Sequence, residues 1–452
     1  MRRSVRTNHF TSSSAAPGTS ARSSGGSHHH KTRKGRNQKM ENTLSEALRG
    51  YPTLSLKERD RRWASVRGLL EREGLDGVVV FGSGRDNADA YLTNEAKGAI
   101  VLLTPEDDPV LFLGDVPLNR FDAQASRWER WVDEWVHGEP ISALASRIRE
   151  RGLGKARLGV VGLTSRMVGE WAGTISHTTW TRVLSELPDV EWADVADAYE
   201  SIAIIKSPEE QVLLRRAAAL GEEACRAFVE TARAGGNEHQ IAAASFHAII
   251  AGGGWVRWPF MLERAGESMF AWSVPEWFES GGAPRILRPG DTIAAEIFAF
   301  YGGMESQQQI DVCVGEPSAL LRELESVCVD SYQAGLAALK PGMRFSELAK
   351  IMEEPLHSSK TWNTGPMVQT VSPIYNSATR LHPEVDPALS RLEQLPSGVG
   401  LDGDFVIEQG HAFAFEPNAL RDGQRVCIGG TVLLGPNGPE ELNSIPNRLN
   451  VI

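Results

Sequence analysis

From Leu56 onward the hydrophobic positions fall three and four residues apart. Trp63, Val66, Leu69 and Leu70 share one face and Gly74 ends the pattern, which predicts an amphipathic helix. The pattern then shifts to short continuous apolar runs. GVVVFG (77–82) predicts a buried strand, and AIVLLTPEDDPVLFLG (99–114) predicts two strands around a Pro/Asp turn. Apolar runs at Leu158 to Leu163 and at Ile202 to Ile205 read as further strands. Helices alternating with buried strands predict an α/β half that ends near residue 205.

The next segment, IIKSPEE (204–210), carries a helix start. Ser207 is a good N-cap, Pro208 suits the first helical position, and Glu210 stands where a capping box needs it. Val212, Leu213, Ala217, Leu220, Ala224 and Phe228 then predict a long amphipathic helix running toward Gly235 and Gly236. Beyond it lie a tryptophan-rich stretch (255–278), a hairpin (292–314), two helices separated by KPG (340–342) and a β-rich end.

Composition narrows the class. The chain has 452 residues, 41% hydrophobic and 23% charged, which suits two globular domains. No apolar stretch approaches the ~18 residues of a membrane-spanning helix, so no membrane span is expected. The four cysteines, Cys225, Cys313, Cys328 and Cys427, are scattered, as expected of a reducing, cytoplasmic setting rather than a disulfide scaffold. Residues 1–40 carry nine basic residues and no acid, and are rich in Ser, Gly and His; a disordered tail is expected there. Without that tail 38 basic residues face 58 acidic ones, a net charge of about −20, which argues against a nucleic-acid-binding body.

Several motifs occur together and in order: KSPEE (206–210), RPGDTIAAE (288–296), the Gly302-Gly303 turn, LKPGMRFSEL (339–348) and IEQGHAFAFEPN (407–418). In this order they resemble the creatinase/aminopeptidase P family. The resemblance implies an α/β amino-terminal domain of the creatinase type followed by an α+β pita-bread catalytic domain. The expected division is a tail (1–40), the amino-terminal domain (41–205) and the catalytic domain (206–452). A homodimer is expected by resemblance only. A weaker resemblance, to the dimethylsulfoniopropionate-lyase branch, rests on WFESGGAPRIL (277–287).

Metal-bearing members hold two cations with two Asp, one His and two Glu, whose anionic oxygens bridge the ions and a water. Carried over residue by residue, the first Asp position is Glu296, the second is Gln307, and the last Glu position is Gly429. The His position falls on Ser397 in one register and His382 in another. Only Glu416, in FEPN, matches outright. With two anions missing, no dinuclear centre and no cofactor is expected; a single divalent metal on Glu296, His382 and Glu416 stays the alternative. Creatinase-like members work without metal, but where they carry a catalytic Glu this chain has Gln309.

These residues point to a metal-free, or at most mononuclear, enzyme for a small polar amino-acid-derived substrate, cleaved by C–N hydrolysis or elimination. Glu416 and Glu296 would serve as acid and base, with His382 as proton shuttle. Gln307, Gln309 and Glu305 would meet the substrate. Trp272 and Trp277, within the aromatic-rich 255–278 stretch, would form a cage for a cationic group, against the alternative of core packing or a dimer interface. The competing functions are an Xaa-Pro-type metallopeptidase and a decayed binding module.

Overall fold

In the computed structural model the described residues are 51–452, except 83–87, 96–97, 115–129, 165–173, 257–260, 267–273, 362–365, 373–376, 382–397 and 402–403. The expected tail (1–40), Trp272 and His382 therefore lie outside the described residues.

The first helix, α1 (Leu56–Glu73), is capped by Ser55, whose hydroxyl accepts the Glu58 N–H, and ends at Gly74 in a left-handed conformation with φ 62°. That backbone is strained for residues with a Cβ, so the glycine ends the helix there. Trp63, Val66, Leu69 and Leu70 are buried as the spacing predicts. The first sheet follows the order β4-β3-β2-β1-β5-β6. Its centre is β1 (Gly77–Phe81), antiparallel to β2 (Ile100–Leu103) and parallel to β5 (Arg157–Val161). Next to β2 runs β3 (Val110–Leu113), followed by β4 (Glu134–His137); on the other side β5 pairs with β6 (Glu191–Asp194).

The strand expected at Ile202 to Ile205 is not one. After α2 (Ala88–Thr93), α3 (Pro140–Glu150) and α4 (His177–Glu186), residues Ala196–Ala203 form a helix, α5, that buries Ala196, Tyr199 and Ala203. That burial spacing of three and four is helical, and the short apolar run at its end mimics a strand.

The capping box at Ser207 forms as the sequence predicts, and α6 (Pro208–Thr231) follows. Its buried stripe includes Leu213, Ala217, Leu220, Ala224 and Phe228, whereas Val212 is half exposed. This helix lies against the hairpin of β8 (Thr292–Tyr301) and β9 (Met304–Cys313), which is turned by Gly302 and Gly303, both with positive φ. The hairpin belongs to a sheet of order β18-β9-β8-β7, with β7 at Met261–Gly266 and β18 at Asn450–Val451. A second sheet, of order β12-β11-β10-β13-β16-β17, contains β10 (Pro366–Thr370), β11 (Ser377–Leu381), β12 (Gly398–Leu401), β13 (Ala412–Phe415), β16 (Gly430–Gly435) and β17 (Gly438–Glu441). A two-stranded ribbon pairs β14 (Asn418–Arg421) with β15 (Gln424–Cys427), and β15 lies against β9. The two helices predicted around KPG are Ala319–Ala338 and Phe345–Ser358.

Candidate active site: a buried carboxyl pair

Every residue of β9 is buried, although its sequence is MESQQQIDVC. Strand alternation puts Glu305, Gln307, Gln309 and Asp311 on one face. The hairpin register sets Gln309 opposite Glu296, while Gln307 stands opposite Phe298. The second Asp position of the resemblance therefore lies two pairs along the ladder from Glu296, and Gln309 faces Glu296 directly. Glu416 follows β13, held by its backbone N–H on the Met367 carbonyl at 2.9 Å.

Buried polar groups need partners, and this face supplies them in a connected set. The Gln309 side-chain amide donates to Glu296 Oε1 at 3.2 Å and to Glu416 Oε2 at 2.9 Å. Gln369 Nε2 donates to Gln307 Oε1 at 2.8 Å, and Gln307 Nε2 donates to Glu305 Oε1 at 3.2 Å. The Ser372 N–H donates to Glu305 Oε2 at 2.9 Å, and Lys206 Nζ donates to the Ser372 carbonyl at 2.7 Å. Asp311 Oδ2 accepts the Cys427 N–H at 2.7 Å. The amide orientations follow from these contacts.

Burial dominates the electrostatics. It pushes Glu296 up to about 7, with the Glu305 charge adding to the rise while hydrogen bonds from Glu416 and Gln309 and the Arg425 charge oppose it. It raises Glu416 well above the ordinary carboxyl range, assisted by the Glu296 charge and by a hydrogen bond to Glu296. Burial thus raises both carboxyls, and with the Gln309 amide between them the pair titrates as a unit. Burial also lifts Asp311 to about 7 against the Cys427 N–H and Arg425. Lys206 falls to about 8 through burial, with Glu210 and Glu305 opposing. His411, stacked on Phe405 and Phe413, falls to about 4 for the same reason.

Trp277 packs against the main hydrophobic cluster, 4.2 Å between ring centroids from His239, and its indole N–H has no hydrogen bond among the described residues. Trp255 is exposed and pairs through its backbone with Phe300. The structure thus brings together Glu296, Glu416, Gln309, Gln307 and Glu305, and gives Trp277 a packing environment of its own.

Sequence reasoning passed over Arg425 and Gln369. Arg425 lies in β15, 1% exposed, and its charge acts on Glu296, Glu416 and Asp311. The legible signal was a charged residue in QRVC, ahead of an apolar stretch whose neighbours Val426, Cys427 and Ile428 are all buried.

The side chains present do not fit a pair of divalent cations. The Gln309 amide N–H stands between the two carboxyls, where a bridging ion would need anionic oxygen around it. At Gly429, φ is 151° and a Cβ would come within 1.8 Å of the Phe415 carbonyl oxygen, so the backbone excludes a carboxylate there. Among the described residues no group of three or more His, Cys, Asp or Glu is arranged to hold a metal.

Two packed sheets, a hairpin lining one wall and a carboxyl pair between them define a pita-bread enzyme scaffold. Residues 212–435 match metallopeptidase family M24. The chain is similar to creatinase of Bacillus sp. (strain B-0618), 23% identical over 424 residues, covering 87% of this chain and 92% of the relative. It is also similar to an Xaa-Pro dipeptidase of Lactobacillus delbrueckii subsp. lactis, 26% identical over 294 residues, covering 63% and 73%. Among solved structures, the X-Pro aminopeptidase of Thermotoga maritima MSB8 superposes with a TM-score of 0.66 at 17% identity, covering 86% of this chain and 99% of the other. Dipeptidase PepE of Mycobacterium ulcerans gives 0.65 at 19%, covering 88% and 99%. The chain belongs to the creatinase/aminopeptidase P family of pita-bread hydrolases. No helix among the described residues is long and apolar enough to cross a membrane.

Proposed function

We propose that the chain hydrolyses a C–N bond in a small polar, amino-acid-derived molecule, without metal, through the Glu296–Glu416 pair. The observation that carries this reading is two buried carboxyls held on one Gln309 amide, at 3.2 Å from Glu296 and 2.9 Å from Glu416, both raised above the ordinary carboxyl range by burial. Such a pair supplies an acid and a base at neutral pH. Ionised Glu296 takes a proton from water as the water oxygen attacks the substrate carbon. Glu416 gives its proton to the leaving nitrogen as the C–N bond breaks and the C–O bond forms. Transfer of the proton from Glu296 to Glu416 then resets the pair. Gln307 and Gln309 offer amide groups to a polar substrate, and His382 is retained in the proposal as a proton shuttle.

The near end-to-end similarity to creatinase supports a substrate of the creatine type; the metal-dependent alternative is an Xaa-Pro dipeptidase. A panel of creatine and Xaa-Pro dipeptides, assayed with and without chelator, separates them. The expected result is chelator-resistant turnover of a non-peptide substrate, lost in Glu416→Gln. Chelator-sensitive cleavage of Xaa-Pro dipeptides, with two ions bound per chain, would overturn the reading.

A further inference from the structure

Relatives that use divalent cations balance their carboxylates with those ions, whereas here the buried face offers carboxyls at Glu296, Glu416 and Asp311 and a guanidinium at Arg425. Arg425 heads the largest side chains buried to this degree, at 1% exposure. It sits two residues from Cys427 on β15, hence on the same strand face, and the Cys427 N–H is the donor to Asp311. The Cys427 thiol in turn lies 3.9 Å from the Glu416 carbonyl. The same ribbon leads into Gly429, whose carbonyl accepts the Gln309 N–H at 3.3 Å. Arg425 therefore stands on the strand that connects Asp311 to the carboxyl pair.

A buried charge is tolerated only where charge of the other sign faces it. We propose that Arg425 is the resident counter-cation of this site: with the Gln309 amide as the donor between the carboxyls, it supplies from the chain the positive charge that metal ions supply elsewhere, and so keeps divalent cations out. This rests on the metal-free reading above. A guanidinium stays charged across the physiological range and, unlike an ion, cannot dissociate. Its repulsion would act on any cation entering the pocket, and it is strengthened by the low dielectric of a buried site.

The test needs no substrate. Protein stripped by chelator and dialysed is titrated with Mn²⁺ by calorimetry, and bound metal is then measured by elemental analysis. Wild type should show no saturable site. Arg425→Met should gain one saturable site at least about 100-fold tighter than any binding by wild type; Arg425→Lys, which keeps the charge, should not; and Arg425→Met/Glu416→Gln should lose it again. If Arg425→Met does not fold, Arg425→Met/Asp311→Asn, which also removes the buried carboxyl that the Arg425 charge acts on, makes the same test. A folded variant without Arg425 that gains no site overturns the role of Arg425 and leaves the metal-free reading standing. Saturable Mn²⁺ binding by wild type that depends on Glu416 overturns both.

Discussion

Strands β1 and β9 are both buried along their full lengths, yet they are chemically opposite. In β1 the residues are GVVVF, beside β2 (IVLL), which pairs in turn with β3 (VLFL). In β9 the row is MESQQQIDVC, with Glu, Gln and Asp side chains out of water. Burying apolar side chains stabilises by ~1.5–3 kcal/mol each, whereas a buried polar group without a partner costs ~1–3 kcal/mol. The first sheet therefore follows from the hydrophobic effect alone. The hairpin is retained because its carboxyls and amides find partners: the Lys206–Ser372–Glu305–Gln307–Gln369 chain, the Glu296–Gln309–Glu416 cluster, Asn443 on Gln308 and the Cys427 N–H on Asp311. A buried polar strand beside a buried apolar one marks where stability has been exchanged for chemistry.

That contrast is open to direct attack. The largest effect is expected at Glu416→Gln, which should lower turnover ~10²- to 10⁴-fold while the thermal melt and circular dichroism remain those of the wild type; retained turnover would remove Glu416 from the acid role. In the apolar sheet, Phe112→Ala should cost ~3–5 kcal/mol in urea denaturation by leaving a cavity among Val79, Leu102 and Val160, with the substrate profile of the remaining folded enzyme unchanged.

A third test uses pH. Glu296 and Asp311 are raised in the folded state, so that state binds more protons than the unfolded chain between their ordinary values and about 7. Their contribution to stability is fully present below those ordinary values and is lost as pH rises through about 7. His411 has the opposite sign: lowered to about 4, it contributes stability that is present above 6.5 and lost as pH falls toward 4. The two oppose each other from about pH 4.5 to 6.5. Asp311→Asn should flatten the upper limb and His411→Asn the lower one in denaturation midpoints measured from pH 4 to 8. Coincident curves would show that these groups do not titrate as their burial requires. The smallest effect is expected at Ser207→Ala, ~1 kcal/mol from losing the cap of α6, with no change in the pH limbs.

Much of the scaffold was legible along the chain. The Ser207 cap, the Gly74 stop, the apolar runs of β1 to β3 and β5, and the Gly302-Gly303 turn each depend on neighbours within a few residues. The helix at Ala196–Ala203 was misread as a strand at its end because four apolar residues do not distinguish a strand from a helix terminus. In the site, Glu296 and Glu416 were found by resemblance, while Arg425 and Gln369 were missed. Gln369 looks like an ordinary strand residue until β10 is laid beside β13, pairing it with Ala414 and directing its amide at Gln307.

The sequence by itself determined the local elements, the family and the absence of anionic side chains at Gln307 and Gly429, because residue identity and short-range periodicity carry that information. Only the tertiary structure decided that Gln309 rather than Gln307 faces Glu296, that Gly429 has no room for a side chain, and that a guanidinium from a distant strand is buried with the carboxyls. Those facts depend on strand register and on which surfaces exclude water together, and the charges of Glu296, Glu416 and Arg425 acquire their meaning only once the fold has removed them from solvent.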